Sequence, residues 1–91
     1  MSEIKIRDLS IGDVIEVTYK GNNDNLKSIS LVRDIGTEAV DLDDLIAVNY
    51  PEPDHDWSAT DDDITIERIL FSTPPLDHLA ILLEKFPEYA L

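Results

Sequence analysis

Residues 14–20 read VIEVTYK, and this stretch decides the predicted fold. Ile15, Val17 and Tyr19 alternate with Glu16 and Thr18, which is the period of a strand that turns one face toward a core. Valine, isoleucine, threonine and tyrosine are also the residue types enriched in strands. We therefore predict a β-strand here, with the first three side chains pointing inward.

The flanking sequence extends this strand into a hairpin. Residues 21–25 read GNNDN, a cluster of residue types that tolerate positive φ and favour turns. In the returning strand we expect Ile29 and Leu31 to face inward, and Ser28 and Ser30 to face solvent.

Further elements follow from the same reasoning. Alternation predicts a short strand at Ile4 and Ile6, whereas Pro51 and Pro53 end the next apolar run and open a polar loop to residue 63. The full set of predicted elements is a strand near residues 4–6, a hairpin over 14–33, a turn at 34–37, two short strands or one interrupted strand over 39–50, a loop over 51–63, a strand from 64 with a bulge near Glu67 and Arg68, and a helix from Ser72 to about Phe86.

The predicted helix carries apolar side chains at helical spacing, at Leu76, Leu79, Ala80, Leu83 and Phe86. We expect this stripe to close the open face of the sheet, with Ile81 and Leu82 on its flanks, and with His78 and Lys85 opposite. The fold class is therefore α+β, a single domain over residues 1–91. We expect a small, antiparallel, strongly bent sheet or an SH3-like barrel of about five strands, with one C-terminal helix.

Composition narrows the function classes. The absence of cysteine excludes disulfides, thiolate zinc sites and thiol nucleophiles. With no apolar run of signal-peptide or membrane-span type, we expect a cytoplasmic, soluble protein that does not contact a membrane. No phosphate loop, serine elbow or paired-histidine motif occurs, so we expect no enzymatic activity and no cofactor.

Charge is the main functional signal. The formal net charge is −13, and residues 34–67 hold twelve acidic residues without a lysine or arginine, whereas residues 1–33 are balanced at five and five. Carboxylates two residues apart on a strand lie about 6.6–6.8 Å apart on one face, a spacing comparable with that of nucleic-acid phosphates. The candidate partner-binding residues are Asp41, Asp43, Asp44, Glu52, Asp54, Asp56, Trp57, Asp61, Asp62 and Asp63.

Two aromatic residues could anchor such an interface, since aromatic side chains dominate binding hot spots. Trp57, the sole tryptophan, lies in the polar loop among acidic residues, and Tyr50 precedes Pro51. Either could instead cover an edge of the core.

Metal binding and catalysis have weaker support. Alternate oxygen-bearing residues from Asp54 to Asp62 resemble the early ligands of a calcium loop, but Ala59 and Thr65 stand where the required glycine and glutamate would be. No metal site is therefore predicted beyond weak divalent binding. His55 between two aspartates, and His78 on the helix, are expected to be surface residues.

The sequence favours a non-enzymatic interaction protein that presents an acidic surface to a basic partner. That partner would be a DNA- or RNA-acting protein that the chain inhibits, with DNA mimicry as one form, as in phage anti-defence, antitoxin or immunity proteins. Direct nucleic-acid binding is not expected. The alternatives are a structural or regulatory SH3-like module whose acidic surface serves solubility or salt adaptation, and a weak metal-binding domain. The oligomeric state stays open.

Overall fold

A five-stranded antiparallel sheet forms most of the protein, and one short helix packs against it. The structure is a computed structural model that describes residues 3–20, 25–72 and 78–89. The strands are β1 (Asp13–Lys20), β2 (Asn25–Ile35), β3 (Ala39–Ala47), β4 (Trp57–Thr60) and β5 (Ile64–Ser72). The helix α1 spans His78–Lys85, and 3₁₀ turns span Ile6–Asp8 and Pro87–Tyr89.

The strand order is β4-β3-β2-β1-β5, so β4 and β5 are the edges and the sheet is not closed into a barrel. The predicted mostly-β α+β fold with about five strands is confirmed at this level. The sheet is nevertheless curved. The ring centroids of Tyr19 on β1 and Trp57 on β4 are 6.1 Å apart, although β2 and β3 lie between these two strands in the sheet.

Both faces of the sheet are buried. The concave face holds a core that includes Ile15, Val17 and Leu42, and the N-terminal segment covers it with Ile6 and Leu9. The opposite face holds a second core of Val14, Ile29, Phe71 and Leu82, with α1 packed on it. Each fully buried aliphatic side chain contributes roughly 1.5–3 kcal/mol, so the two cores together hold the sheet between two layers.

The predicted β1 is confirmed, and Tyr19 lies on the same face as Ile15 and Val17, as predicted, although it is 38% exposed. On β2, Ser28 and Ser30 are buried at 3% and 0%, where the sequence predicted solvent-facing hydroxyls. The register explains the serines, since Ser28 pairs with Val17 and Ser30 with Ile15 on the concave face. Strand β2 thus alternates between two buried surfaces. Residues 21–24 of the predicted hairpin loop lie outside the described residues.

Strand β5 contains the predicted bulge. Val17 pairs with Ile66 and Glu16 with Arg68, so Glu67 is the extra residue. A second register shift at Leu70 was not predicted. It places Phe71 opposite Val14, on the face that carries the helix rather than on the face of Ile64 and Ile66.

Two further predictions are corrected, and an alternative left open is resolved. The expected first strand is a single bridge from Ile4 to Ile66 followed by a 3₁₀ turn, since the chain bends to lay Ile6 on the concave core. The expected loop over 51–63 contains β4, which pairs with β3 from Leu42↔Trp57 to Ala39↔Thr60. Of the two alternatives predicted over 39–50, the structure shows one interrupted strand, since β3 is a single strand with an extra residue at Leu45.

The buried face of the helix differs in part from the one expected, although Phe86 of the predicted stripe does pack on the second core. Leu82 is fully buried against the second core, whereas Ala80 is exposed and Leu83 only half-buried. Ser72, where the helix was predicted to begin, is instead the last residue of β5, and residues 73–77, which include Leu76, lie outside the described residues. Phe86 N–H still donates to the Leu82 carbonyl, and the 3₁₀ turn begins at Pro87, so the helix ends where the proline predicts.

Candidate functional site

A buried carboxylate organises the most distinctive polar cluster of the protein. Asp44, on β3, is 2% exposed. Its Oδ1 accepts hydrogen bonds from Ser30 Oγ and Trp57 Nε1, each at 2.7 Å. Its Oδ2 accepts from the Asp54 N–H at 2.9 Å and from the Tyr50 hydroxyl. Four donors thus satisfy the lone pairs of the carboxylate, as burial of an ionised group requires.

Local chain geometry explains why these groups converge. Ser30 pairs with Asp44 and Ile29 with Ile46, so Leu45 is an extra residue that leaves Asp44 on the concave face. After β3 the chain folds back, and the Asp44 N–H donates to the Asp54 carbonyl at 3.0 Å. Asp56 then adopts a positive φ of 60°, a conformation that aspartate tolerates better than most residues, and this turn leads into Trp57.

The cluster forms the floor and walls of a pocket of about 230 Å³, which we call the aromatic pocket. Three of its side chains are aromatic and two carry carboxyl groups, and none of its eight described lining residues is basic. The lining residues are Tyr19, Leu26, Ser28, Asp44, Tyr50, Asp54, Trp57 and Ser58.

The environment of Tyr50 keeps this tyrosine neutral. Burial raises the pKa of the Tyr50 hydroxyl well above its usual range, and the hydrogen bond to the Asp44 carboxylate raises it further. Both effects disfavour the phenolate, the first by desolvation and the second because a phenolate has no proton to donate to the carboxylate. Tyr50 is therefore a fixed donor to Asp44 at all ordinary pH values.

The residues predicted as one acidic binding surface fall into three places. Asp44, Asp54 and Trp57 belong to the aromatic pocket. A second set lies on β3 and the segment before β4, and a third forms the turn between β4 and β5. The second set is Asp41, Asp43, Glu52 and Asp56, and the third is Asp61, Asp62 and Asp63.

Asp44 differs most from its predicted role. The sequence placed it on the outward acidic surface, but its carboxylate is buried and hydrogen-bonded inside the fold. It holds Tyr50 and Trp57 in place by accepting their hydrogen bonds. Both aromatic residues, predicted as interface anchors or as cover for the core edge, line the pocket and remain half-buried.

In the second set, few cationic side chains lie near the carboxylates. Asp43 Oδ1 lies 2.6 Å from His55 Nδ1, and Asp56 lies 3.9 Å from an Arg33 nitrogen. Both contacts involve exposed side chains, so solvent screens them strongly. Asp41 faces Asp34 across the β2–β3 pair, and both are exposed. Like charges placed directly opposite each other destabilise a sheet.

The third set is partly committed to the fold. Asp61 Oδ1 accepts the Ile6 N–H at 3.0 Å and thereby fastens the N-terminal segment. Asp63 Oδ2 accepts from the Thr60 N–H and hydroxyl within the turn. A second cavity of about 400 Å³ lies beside this turn, but Lys5 and Lys20 line it together with acidic residues. Two lysines among four carboxylates therefore offset half of the negative charge there.

Metal coordination finds no support in the described part of the chain. Within it, no three histidine, aspartate or glutamate side chains come close enough to hold an ion. Ser58 and Thr60 of the calcium-like pattern belong to the edge strand β4, whose extended backbone keeps the residues of the pattern apart. Nor does any helix in the described ranges have the length and apolar character to cross a bilayer.

Sequence reasoning missed four of the eight lining residues, which are Tyr19, Leu26, Ser28 and Ser58, and also missed Ser30, which donates to Asp44. Tyr19 was expected to point into the core and lies at the pocket, whereas Ser28 and Ser30 were expected to face solvent and lie on the concave face. The available signal was the pair Ser28 and Ser30, which alternate with apolar residues in one strand. Hydroxyls at such positions must find partners if they are buried, and Ser28 lies 2.8 Å from Ser30.

Comparisons with known proteins add no relative to this description. No protein-family model matches the sequence, and no curated protein or solved structure is significantly similar to it. The functional argument therefore depends on the geometry of the site itself.

Proposed function

We propose that the protein is a non-enzymatic interaction protein that presents an acidic surface to a basic partner. The observation that carries this proposal is the aromatic pocket, where three aromatic rings and two carboxyl groups converge with no basic side chain among the described lining residues. Aromatic residues supply most of the energy at protein interfaces, and unbalanced carboxylates select a cationic surface.

Carboxylates on the opposite face of β3 from the aromatic pocket add to the negative charge of the surface. Asp41 and Asp43 are two residues apart and share one face of β3. Residues at that spacing on a strand are about 6.6–6.8 Å apart, which is less than the Debye length of about 8–10 Å at moderate salt. Their fields therefore add. The opposed pair Asp34 and Asp41 costs stability, and a surface that tolerates this cost is consistent with selection for negative potential.

The class of partner follows from the sign and spacing of the charge. Proteins that act on DNA or RNA carry cationic grooves that attract phosphates, and a surface of spaced carboxylates competes for such grooves. Inhibition of a DNA- or RNA-acting protein, with DNA mimicry as one form, is the specific version of the proposal. Direct binding of nucleic acid is disfavoured, because a chain with a net charge of −13 repels it.

The chemistry of Asp44 supports binding rather than catalysis. A general base needs a free lone pair directed at a substrate proton. Four hydrogen bonds occupy both oxygens of this carboxylate, so the one buried acid of the aromatic pocket serves to position its neighbours.

Strand order supports the alternative of an SH3-like module. The sheet order is β4-β3-β2-β1-β5, and only Asp61–Asp63 separate β4 from β5 along the chain, which is compatible with an SH3-like arrangement. In that case the protein is a structural or regulatory module, and its acidic surface serves solubility. Under this alternative, neutralising exposed carboxylates leaves partner binding unchanged.

The test is capture of purified basic DNA- and RNA-binding proteins on the immobilised chain. We expect binding that weakens at least tenfold from ~50 to ~500 mM salt and that duplex DNA competes away. The double variant Asp41→Asn/Glu52→Gln should weaken capture, whereas the matched double variant Glu84→Gln/Glu88→Gln should not. Capture that ignores salt, DNA and the first variant would contradict the proposal.

These positions are chosen because their side chains are exposed and accept no hydrogen bond in the described structure. Substituting Asp61, Asp62 and Asp63 together would be a poorer test. Asp61 and Asp63 hold backbone groups, so their loss would change the fold along with the charge.

A further inference from the structure

We propose that the aromatic pocket receives the guanidinium group of an arginine side chain from the partner. This inference rests on the proposed function, since the arginine belongs to the basic partner, and it identifies the contact that gives the interface its specificity. Size is the first argument. Sites for drug-sized ligands have about 300–1,000 Å³, whereas this pocket has about 230 Å³, which suits a single side chain.

Charge is the second argument. Asp44 and Asp54 give the pocket a formal charge of −2, and none of its eight described lining residues offsets that charge. Within the described residues, no lysine or arginine forms an ion pair with Asp44. A cation that enters the pocket therefore finds a buried negative charge that the chain itself leaves unneutralised, in a medium where attraction is stronger than in water.

The aromatic walls provide the third argument. Tyr19 and Trp57 both line the pocket, and their rings meet edge to face, at 82° between the ring planes. Cations bind over aromatic faces, and arginine does so more often than lysine because its planar group stacks on the ring. Arginine is also less strongly hydrated than an ammonium group, which lowers the cost of entering a half-buried site.

Hydrogen bonding gives the fourth argument. The oxygens of Asp44 are already occupied, so Asp44 contributes its field but no acceptor. Asp54 uses its backbone groups to hold Asp44, and its exposed side chain accepts no hydrogen bond in the described structure. A carboxylate with free oxygens at the rim of an aromatic pocket is matched to the paired N–H donors of a guanidinium.

The pocket is held ready for this ligand. Trp57 Nε1 and the Tyr50 hydroxyl are both fixed by Asp44, so two of the three rings are positioned before any ligand arrives. Because these side chains are already fixed, binding loses less of their conformational entropy. Asp44 is thus a positioning residue, whereas Tyr19, Trp57 and Asp54 contact the guanidinium.

The test is titration of the full chain with N-acetyl-arginine amide, followed by NMR through the indole N–H signal of the sole tryptophan. We expect saturable shifts of the Trp57 signal with a dissociation constant of roughly 1 mM, a strength suited to so small a ligand. N-acetyl-citrulline amide, which has nearly the same shape but no charge, should bind at least tenfold more weakly. The same titration with the lysine and trimethyl-lysine amides tests whether the planar group is preferred.

Variants test the assigned contacts. Tyr19→Leu removes a wall without disturbing the hydrogen bonds to Asp44, and Asp54→Asn neutralises the rim while keeping the backbone. Each should weaken arginine binding at least fivefold, whereas Asp62→Asn, the same charge change outside the pocket, should alter it less than twofold. Circular dichroism of each variant establishes that the fold is retained.

The outcomes are distinct. Citrulline binding equal to that of arginine, tighter binding of either lysine amide, or shifts confined to residues 61–63 would overturn the inference. If the partner is captured in a salt-dependent way but Tyr19→Leu captures it equally well, the proposed function stands and the arginine pocket fails. If arginine amide binds as described while no basic protein is captured, the pocket stands and the proposed function fails.

Discussion

Replacing Asp44 with asparagine tests whether this buried carboxylate is required to accept four hydrogen bonds. Asparagine has nearly the same shape, but one of its two terminal groups is an NH₂ that donates. Placed at the Oδ1 position, the NH₂ faces Ser30 Oγ and Trp57 Nε1; at the Oδ2 position it faces the Tyr50 hydroxyl and the Asp54 N–H. A hydroxyl can rotate to accept, but an N–H cannot.

Either orientation of the new side chain therefore leaves one N–H of the protein facing another donor. A buried donor without a partner costs about 1–3 kcal/mol. Removing the buried negative charge recovers part of the desolvation cost, so we expect Asp44→Asn to lower the free energy of unfolding by about 2 kcal/mol. For a chain of this length that corresponds to a fall in Tm of about 8–16 °C.

The assay is urea unfolding at pH 7, followed by circular dichroism so that the signal does not depend on Trp57. The matched control is Asp43→Asn, the same change at the neighbouring residue. Asp43 contacts His55, whose side chain is 72% exposed, and exposed ion pairs contribute only about 0–1 kcal/mol. Equal stability of the two variants would refute the role assigned to Asp44.

Three other predictions concern the layers on either side of the sheet. Leu82→Ala should cost about 3 kcal/mol by opening a cavity under α1, in contrast to Ala80→Ser at an exposed position, as measured by urea unfolding. Asp61→Ala should accelerate hydrogen exchange of the Ile6 amide, which is otherwise protected; unchanged exchange would rule out the described bond. Because the fold raises the pKa of Tyr50, the contribution of this tyrosine to the free energy of unfolding is complete below about pH 10 and is lost as the pH rises further. Tyr50→Phe should flatten this alkaline loss of stability. Parallel plots of stability against pH for the two proteins would contradict the prediction.

Local pattern was sufficient where one strand alternates strictly. The strand over residues 14–20 was predicted from its period, and the bulge at Glu67 from the change of parity between Ile66 and Ile69. Both signals depend only on the order of neighbouring residues. Such features can be read without knowing what the strand packs against.

The errors arise where distant contacts decide which side is buried. Ser28 and Ser30 look like a solvent face until Asp44 supplies a buried acceptor from another strand. Helical spacing placed Leu82 on the flank of the apolar stripe. In the structure Leu82 packs in one core with Phe71, which lies on that face of the sheet because of a register shift that was not predicted. A short helix contains too few turns for its periodicity alone to identify the buried face.

The candidate site shows the same limit. Among the twelve acidic residues of the segment 34–67, nothing in the local pattern distinguishes Asp44 from the exposed ones. Its burial depends on four donors contributed by β2, β4 and the segment between β3 and β4. The aromatic part was easier to anticipate, because Trp57 and Tyr50 are large side chains in an otherwise polar segment.

The two outer strands have a consequence for self-association. An unpaired strand border normally invites a strand from another molecule, which is a common route to fibrils. Here β4 has four residues, and β5 is bent by two register shifts and bridged by Ile4. Neither border offers the long, flat ladder on which a second chain would grow, so the sheet resists templated stacking even when charge repulsion is screened by salt.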